Sequence, residues 1–171
     1  MTDSAEEWPP SPLWTYSLEL YSQPEVEIAC LALQDDHGLD VNLVLLAAWL
    51  ARSGRGVEAP LAQALRKRAD AYQTEVMQPF RQARRALKRQ SMSPLLADLL
   101  AERRRCLLAA ELDLEHLEQL MLEKLAGTLP GDTSATPATL FARNLAMLYP
   151  DRSVPESLLA PFVERLRLPE G

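Results

Sequence analysis

Glycine is scarce in this chain, with six in 171 residues, and β-branched runs with a period of two are absent. With Leu, Ala, Glu, Arg and Gln abundant, those absences exclude a sheet-built fold and predict an all-α one. Cysteine is nearly missing too. Cys30 and Cys106 stand far apart with no Cys-x-x-Cys or zinc spacing, which excludes a disulfide framework and a cysteine-bound metal. Each lies in an apolar helical pattern, so both are expected as reduced, mostly buried thiols of a cytoplasmic protein. The longest apolar run, residues 41–51, is about half of the ~20 residues that a membrane span needs. The opening MTDSAEEWPP lacks the basic and apolar regions of a signal peptide. A soluble chain with no membrane partner is expected. There is no Walker loop, nucleophile elbow or Cys–His nucleophile signature, so no catalytic residue, metal ligand or cofactor is assigned, and enzymatic activity stays open.

Charge is present but segregated. The net charge is −6. Residues 1–51 carry nine acids and no Lys or Arg; residues 52–105 carry thirteen basic residues against five acids; residues 106–171 are acidic again. Such blocks either neutralise one another inside a bundle or present a charged face to a partner. Basic clusters at Arg66–Arg68, Arg81–Arg89 and Arg103–Arg105 could bind RNA. A pI near 5.0 and the lack of interleaved aromatics argue against nucleic acid as the primary partner.

Helix starts are legible. Ser11-Pro12, Ser93-Pro94 and Thr136-Pro137 place a hydroxyl before a first-turn proline, and Ser22…Glu25 and Ser153…Glu156 have capping-box spacing. Gly38, Gly54 and Gly127 follow apolar-periodic segments, where left-handed C-terminal caps are expected. The predicted helices are 12–22, 24–37, 40–53, 60–77, 79–90, 94–126, 137–148 and 154–166, with Pro79 splitting or kinking the stretch 61–89. They make one domain: a disordered acidic segment 1–10, a core 11–126, a loop 127–136, and C-terminal helices with a tail over 137–171. The bundle is built around the long helix 94–126 and a buried central helix, 40–53. The stripe Leu96, Leu100, Arg103, Leu107, Ala110, Leu114, Leu117, Met121, Leu125 is read as the long helix's packed seam.

The most informative stretch is residues 31–52, LALQDDHGLDVNLVLLAAWLAR. A dense polar run, 34–42, leads into a helix apolar on every side, which marks it as buried. Asp40 and Asn42 are thereby carried to the edge of the interior, where polar groups need partners. They read either as caps fixing an interhelical angle or, with Gln34 and His37, as the wall of a pocket beside a helix N-terminus. A second constellation is basic: Arg81, Arg84 and Lys88 run along one flank of 77–89, beside the apolar stripe Phe80, Ala83 and Leu87. Glu111, Glu115 and Glu118 flank the long helix in the same way. The two flanks either form a cross-helix ion-pair network or hold an anion. Candidate ligand-binding residues are therefore Gln34, His37, Asp40, Asn42, Arg81, Arg84, Lys88, Glu111 and Glu118. Asp35-Asp36…Asp40 is a poor match to a diphosphate-binding aspartate motif, because Gly38 interrupts it. Asp113-x-x-His116 supplies one quarter of a di-iron site and lacks the rest.

Leu13-Trp14, Tyr21 and the string CLALQDDHGLDVNL (residues 30–43), with Pro79-Phe80-Arg81…Arg84…Leu87-Lys88 and Glu111-Leu112…Glu115, resemble a family of small proteobacterial cytoplasmic proteins designated a domain of unknown function. The resemblance spans residues 11–126 and leaves 128–171 uncovered. It implies no activity, cofactor or catalytic residue. It implies a neighbouring ribosome-associated ATPase of the ABC type as a partner. The leading expectation is a non-enzymatic protein-interaction or regulatory factor. The alternatives are a small anionic-ligand-binding or enzymatic helical domain, whose site joins 34–42 to the 81–88 flank, and an RNA- or ribosome-associated factor.

Overall fold

The computed structural model describes residues 8–91, 93–127, 131 and 134–167. Its elements are α1 (Pro12–Tyr21), α2 (Pro24–Asp35), α3 (Val41–Arg52), α4 (Ala59–Tyr72), a π turn (Gln73–Met77), α5 (Gln78–Arg89), α6 (Pro94–Ala126), α7 (Pro137–Leu148) and α8 (Glu156–Leu166). Among the described residues the only β pairing is an isolated bridge, Arg55 to Gly131. The all-α bundle predicted from composition is the observed fold, with helix ends within a few residues of the expected ones.

α3 is buried all round: Asn42 to Ala48, Leu50 and Ala51 are all removed from solvent. Each Leu or Val so buried contributes about 1.5–3 kcal/mol, so this helix alone accounts for a large share of the core. It packs on α7, α6, α1, α2 and α8, while α2 lies on α8 and α4 on α6 and α7. Phe141 and Phe162 meet at 5.4 Å between ring centroids on the α7–α8 side. Asn144 ties that side together. It accepts from the Val57 amide at 2.8 Å and donates to the Ala47 and Arg55 carbonyls.

Caps follow the sequence in part. Ser11 accepts from the Trp14 amide and Thr136 from the Thr139 amide. Gly38, Gly54 and Gly127 all take positive φ. Ser93 makes no side-chain cap, and the capping boxes expected at Ser22 and Ser153 do not form, because α2 begins after Gln23 and α8 after Pro155. Ser22 bonds back to the Glu19 carbonyl instead. Pro79 acts as expected, one turn early: the chain widens into the π turn just ahead of it, and the Gln78 amide reaches the Gln73 carbonyl. Widening the ladder is one way to accommodate a proline's missing N–H and bulky ring.

Two expectations need correction. Cys106 is exposed; only Cys30 is buried, though both are free thiols. The seam of the long helix is rotated: Leu96, Leu117 and Leu125 are exposed, while Glu111, Glu118, Gln119, Leu122 and Ala126 face inward. α5 packs on α6 and the π turn and buries none of its residues fully. Disorder was expected for residues 1–10; residues 1–7 lie outside the described ones, and Trp8 lays its ring 4.3 Å from that of His116. Half of the expected loop 127–136 and the tail past 167 also lie outside them.

Candidate functional site

The rotation of α6 is what builds the site. At the start of α3, Asp40 turns its Oδ1 onto the Asn42 and Leu43 amides at 2.8 and 3.4 Å. Its own amide donates to the Tyr149 hydroxyl at 2.9 Å. Gly38 permits the approach, with φ of +62° and the Arg152 guanidinium where a Cβ would sit. Arg152 also ties the turn down through the His37 and Gly38 carbonyls.

Behind Asp40 the inward face of α6 meets the π turn. Glu118 is fully buried. One of its oxygens accepts from Asn42 Nδ2 at 2.7 Å and Gln73 Nε2 at 2.9 Å. Gln119 Nε2 in turn donates to Asn42 Oδ1 at 2.9 Å. Because a carboxyl oxygen accepts from it, Asn42 must present its amide nitrogen to Glu118 and its oxygen to Gln119. The Gln119 carbonyl oxygen is left over. Asp40 Oδ2, Glu118 Oε1, Gln119 Oε1 and Ser17 Oγ are buried atoms without a hydrogen-bond partner.

Burial, followed by the Asp40 charge, pushes Glu118 up from 4.5 to about 8. Asp40 is also raised, by burial. Burial of two facing carboxyls favours the protonated form in each, so one proton held between Asp40 Oδ2 and Glu118 Oε1 is the arrangement that fits at neutral pH. That proton accounts for Asp40 Oδ2 and Glu118 Oε1; it does nothing for Gln119.

Arg81 closes the network. Its Nη1 donates to Gln73 Oε1 at 3.3 Å, Nε to Glu111 at 3.1 Å and Nη2 to Glu115 at 2.8 Å. Arg84 pairs with Glu111 as well. The ion-pair network read from the two flanks is therefore present, and it links the basic block to the acids of α6. Burial raises Glu115, with Arg81 pulling it back.

Above this floor lies a cavity of about 690 Å³. Its floor and polar wall include Asp40, Asn42, Gln73, Arg81, Glu115 and Gln119. Gln34, Asp70, Thr74, Gln78 and Arg85 lie further round, and Trp14, Tyr21, Leu18, Leu31 and Leu112 supply the apolar side. Leu18, Leu31 and Leu112 are each exposed at the rim.

Of the nine candidate residues, Gln34, Asp40, Asn42 and Arg81 line the cavity, while Glu111, Glu118 and Arg84 brace it from outside its lining. His37 turns away, contributing only its carbonyl to Arg152. Lys88 is exposed, and its carbonyl, with those of Leu87 and Gln90, accepts from Arg104. The sequence reading passed over Gln73, Gln119, Ser17, Trp14 and Tyr21 as site residues. Gln73 had a signal, since it begins the turn that Pro79 widens. Asp35 and Asp36 are exposed. His116 stacks on Trp14 at 4.4 Å and 10° and meets Trp8 at a 30° tilt, and burial lowers its pKa.

Fold and site together define an all-α protein with a polar-floored cleft sealed by a buried carboxyl–amide network. The chain belongs to a family described as Protein of unknown function (DUF2390), which matches residues 12–122. Every cavity-lining residue from Trp14 to Gln119 falls within that match, whereas α7, the main support of α3, falls outside it. Comparison with curated proteins and with solved structures gives no match. Among the described residues, no helix is long and apolar enough to cross a membrane.

Proposed function

We propose that this protein is a small-molecule-binding module whose ligand enters the cleft between α1, the start of α3, the π turn, α5 and α6. One observation carries the reading: a cavity of about 690 Å³ with leucines at its rim and oriented polar groups on its floor. That size and lining are typical of small-ligand sites. The floor is preorganised by bonds running from Glu118 through Asn42 to Gln119, so a ligand meets groups already in place. An anion fits the floor poorly. The first amides of α3 are occupied by Asp40, and each Arg81 nitrogen already has an acceptor. The two free thiols suit a cytoplasmic setting.

The test is a thermal-shift panel of amines, alcohols, carboxylates, phosphates and nucleotides on the native protein and on Thr74→Trp, which fills the cleft from an exposed position. A ligand at about a hundred times its Kd adds roughly 2.7 kcal/mol. Stabilisation of the native protein that Thr74→Trp loses supports the pocket; a flat panel sinks it.

A second reading, protein docking in a regulatory role, is favoured by a different place. Leu95, Leu96, Leu99 and Leu108 are exposed along the first half of α6, beside the basic α5. Pull-down with Leu95→Glu/Leu99→Glu tests it: a partner that survives the double substitution is held elsewhere.

A further inference from the structure

The floor of the cleft also restricts what chemistry it can receive, given the small-molecule reading on which this inference rests. Gln119 is only 1 % exposed, it lines the cavity, and its carbonyl oxygen has no partner. Its orientation is dictated from behind, since Asn42 takes the amide nitrogen and Glu118 fixes Asn42. Ser17, on the cavity wall, adds a second buried oxygen without a partner. An unsatisfied buried acceptor costs about 1–3 kcal/mol, so the site favours an occupant that donates.

The charges point the same way. Facing the Asp40–Glu118 pair are Arg81, Arg84 and Arg85 from α5, Glu111 and Glu115 from α6, Asp70 and Tyr72 from α4, Tyr21 from α1, and Tyr149 and Arg152 after α7. With one proton shared in the pair, Arg81, Arg84, Arg85 and Arg152 balance the four negative charges that remain, so the floor carries no surplus cation to hold an anion. Arg81 and Arg84 are already matched to Glu111 and Glu115. Trp14 and Tyr21 line the apolar side and suit a cation above an aromatic face.

We propose that the cleft binds an organic amine, a primary ammonium carried on an apolar body, with Asp40 and Gln119 as its specificity-determining acceptors. The ammonium meets Asp40 from the cavity side, and as the cation enters, the Asp40–Glu118 pair releases its proton to solvent. Binding and proton release are therefore linked.

The experiment is calorimetric titration of the full chain at pH 7 with 2-phenylethylamine, 2-phenylethanol and 3-phenylpropanoate. It is run in two buffers of different ionisation enthalpy. The expected result is an amine at least tenfold tighter than the alcohol, no binding of the carboxylate, and proton release with the amine alone. Asp40→Asn is the informative variant. Asn caps a helix as well as Asp and can donate to Glu118 in place of the proton, so the fold is kept. Amine affinity should fall tenfold or more, proton release should vanish, and alcohol binding should persist. Gln119→Met, which removes the acceptor and leaves the α3 cap alone, should weaken the amine should Asp40→Asn misfold. Alcohol or carboxylate binding as tightly as amine overturns the ligand class and leaves the pocket standing. So does silence from all three probes while a panel compound other than an amine stabilises the native protein but not Thr74→Trp. Silence from every compound overturns both readings.

Discussion

The two halves of α6 invert each other. In the first half, Leu95, Leu96 and Leu99 are exposed, Leu95 to 89 %, and only Leu100 is buried. In the second half, Glu111, Glu118 and Gln119 are buried while Leu112, Leu117 and Leu125 face outward. The same helix thus exposes leucine where no other element covers it and buries glutamate where partners converge from other elements. Hydropathy alone does not set the buried face; it is set by which neighbours can satisfy a side chain once water is gone.

The largest effects should come from the second half. Leu122→Ala removes a fully buried side chain and should cost about 2–5 kcal/mol in denaturant unfolding. Leu95→Ala, the same substitution in the exposed half, should leave the midpoint unchanged. Equal losses at both sites would erase the contrast. Arg81→Ala strips Glu111, Glu115 and Gln73 of a shared donor. Since Arg81 keeps some exposure, a loss of about 2–3 kcal/mol is expected, less than for a fully buried pair.

Next in size is a pH effect. The native value of Glu118, about 8, lies above its ordinary 4.5. The native state therefore keeps a proton through a range in which the unfolded chain has lost it. Stability should be greatest below about pH 4.5, decline as pH rises toward 8, and level off above that. Asp40 and Glu115 are raised too and push in the same direction. Glu118→Gln, compared by thermal unfolding at several pH values, should flatten the slope; an unchanged slope would place the proton elsewhere.

Smaller again is the coupling between Arg84 and Glu111. Each alanine variant should destabilise, and the double variant should cost less than their sum by about 1 kcal/mol. Strict additivity would mean the pair acts independently. The smallest effect belongs to the exposed half: Arg105 pairs with Glu102 in solvent, and Arg105→Ala should not move the melting temperature.

Much of the site's raw material was legible before folding. The polar run ahead of an all-apolar helix marked Asp40 and Asn42 because a buried helix start must settle its amides and its polar side chains. The Arg81 and Arg84 flank matched the Glu111 and Glu115 flank because three- and four-residue steps keep each set on one helical face. Three features were not legible. Glu118 joined Asp40 rather than an arginine, because its partners come from α3 and the π turn. Lys88 fell outside the site because its side chain is exposed, and only its backbone carbonyl is engaged, by Arg104 of α6. Gln73 and Gln119 drew no notice, since an isolated glutamine reads like any other surface residue.

By itself, then, the order of residues determined an all-helical chain, the burial of α3, the left-handed turns at Gly38, Gly54 and Gly127, and most helix limits. These depend on local periodicity, proline and backbone handedness, which act within a few residues. Tertiary structure alone decided which side of α6 faces inward, that two carboxyls from positions 40 and 118 share a proton, and that a cleft lies above them. Those outcomes depend on groups far apart in the chain meeting where water is excluded, and only the packed body brings them together.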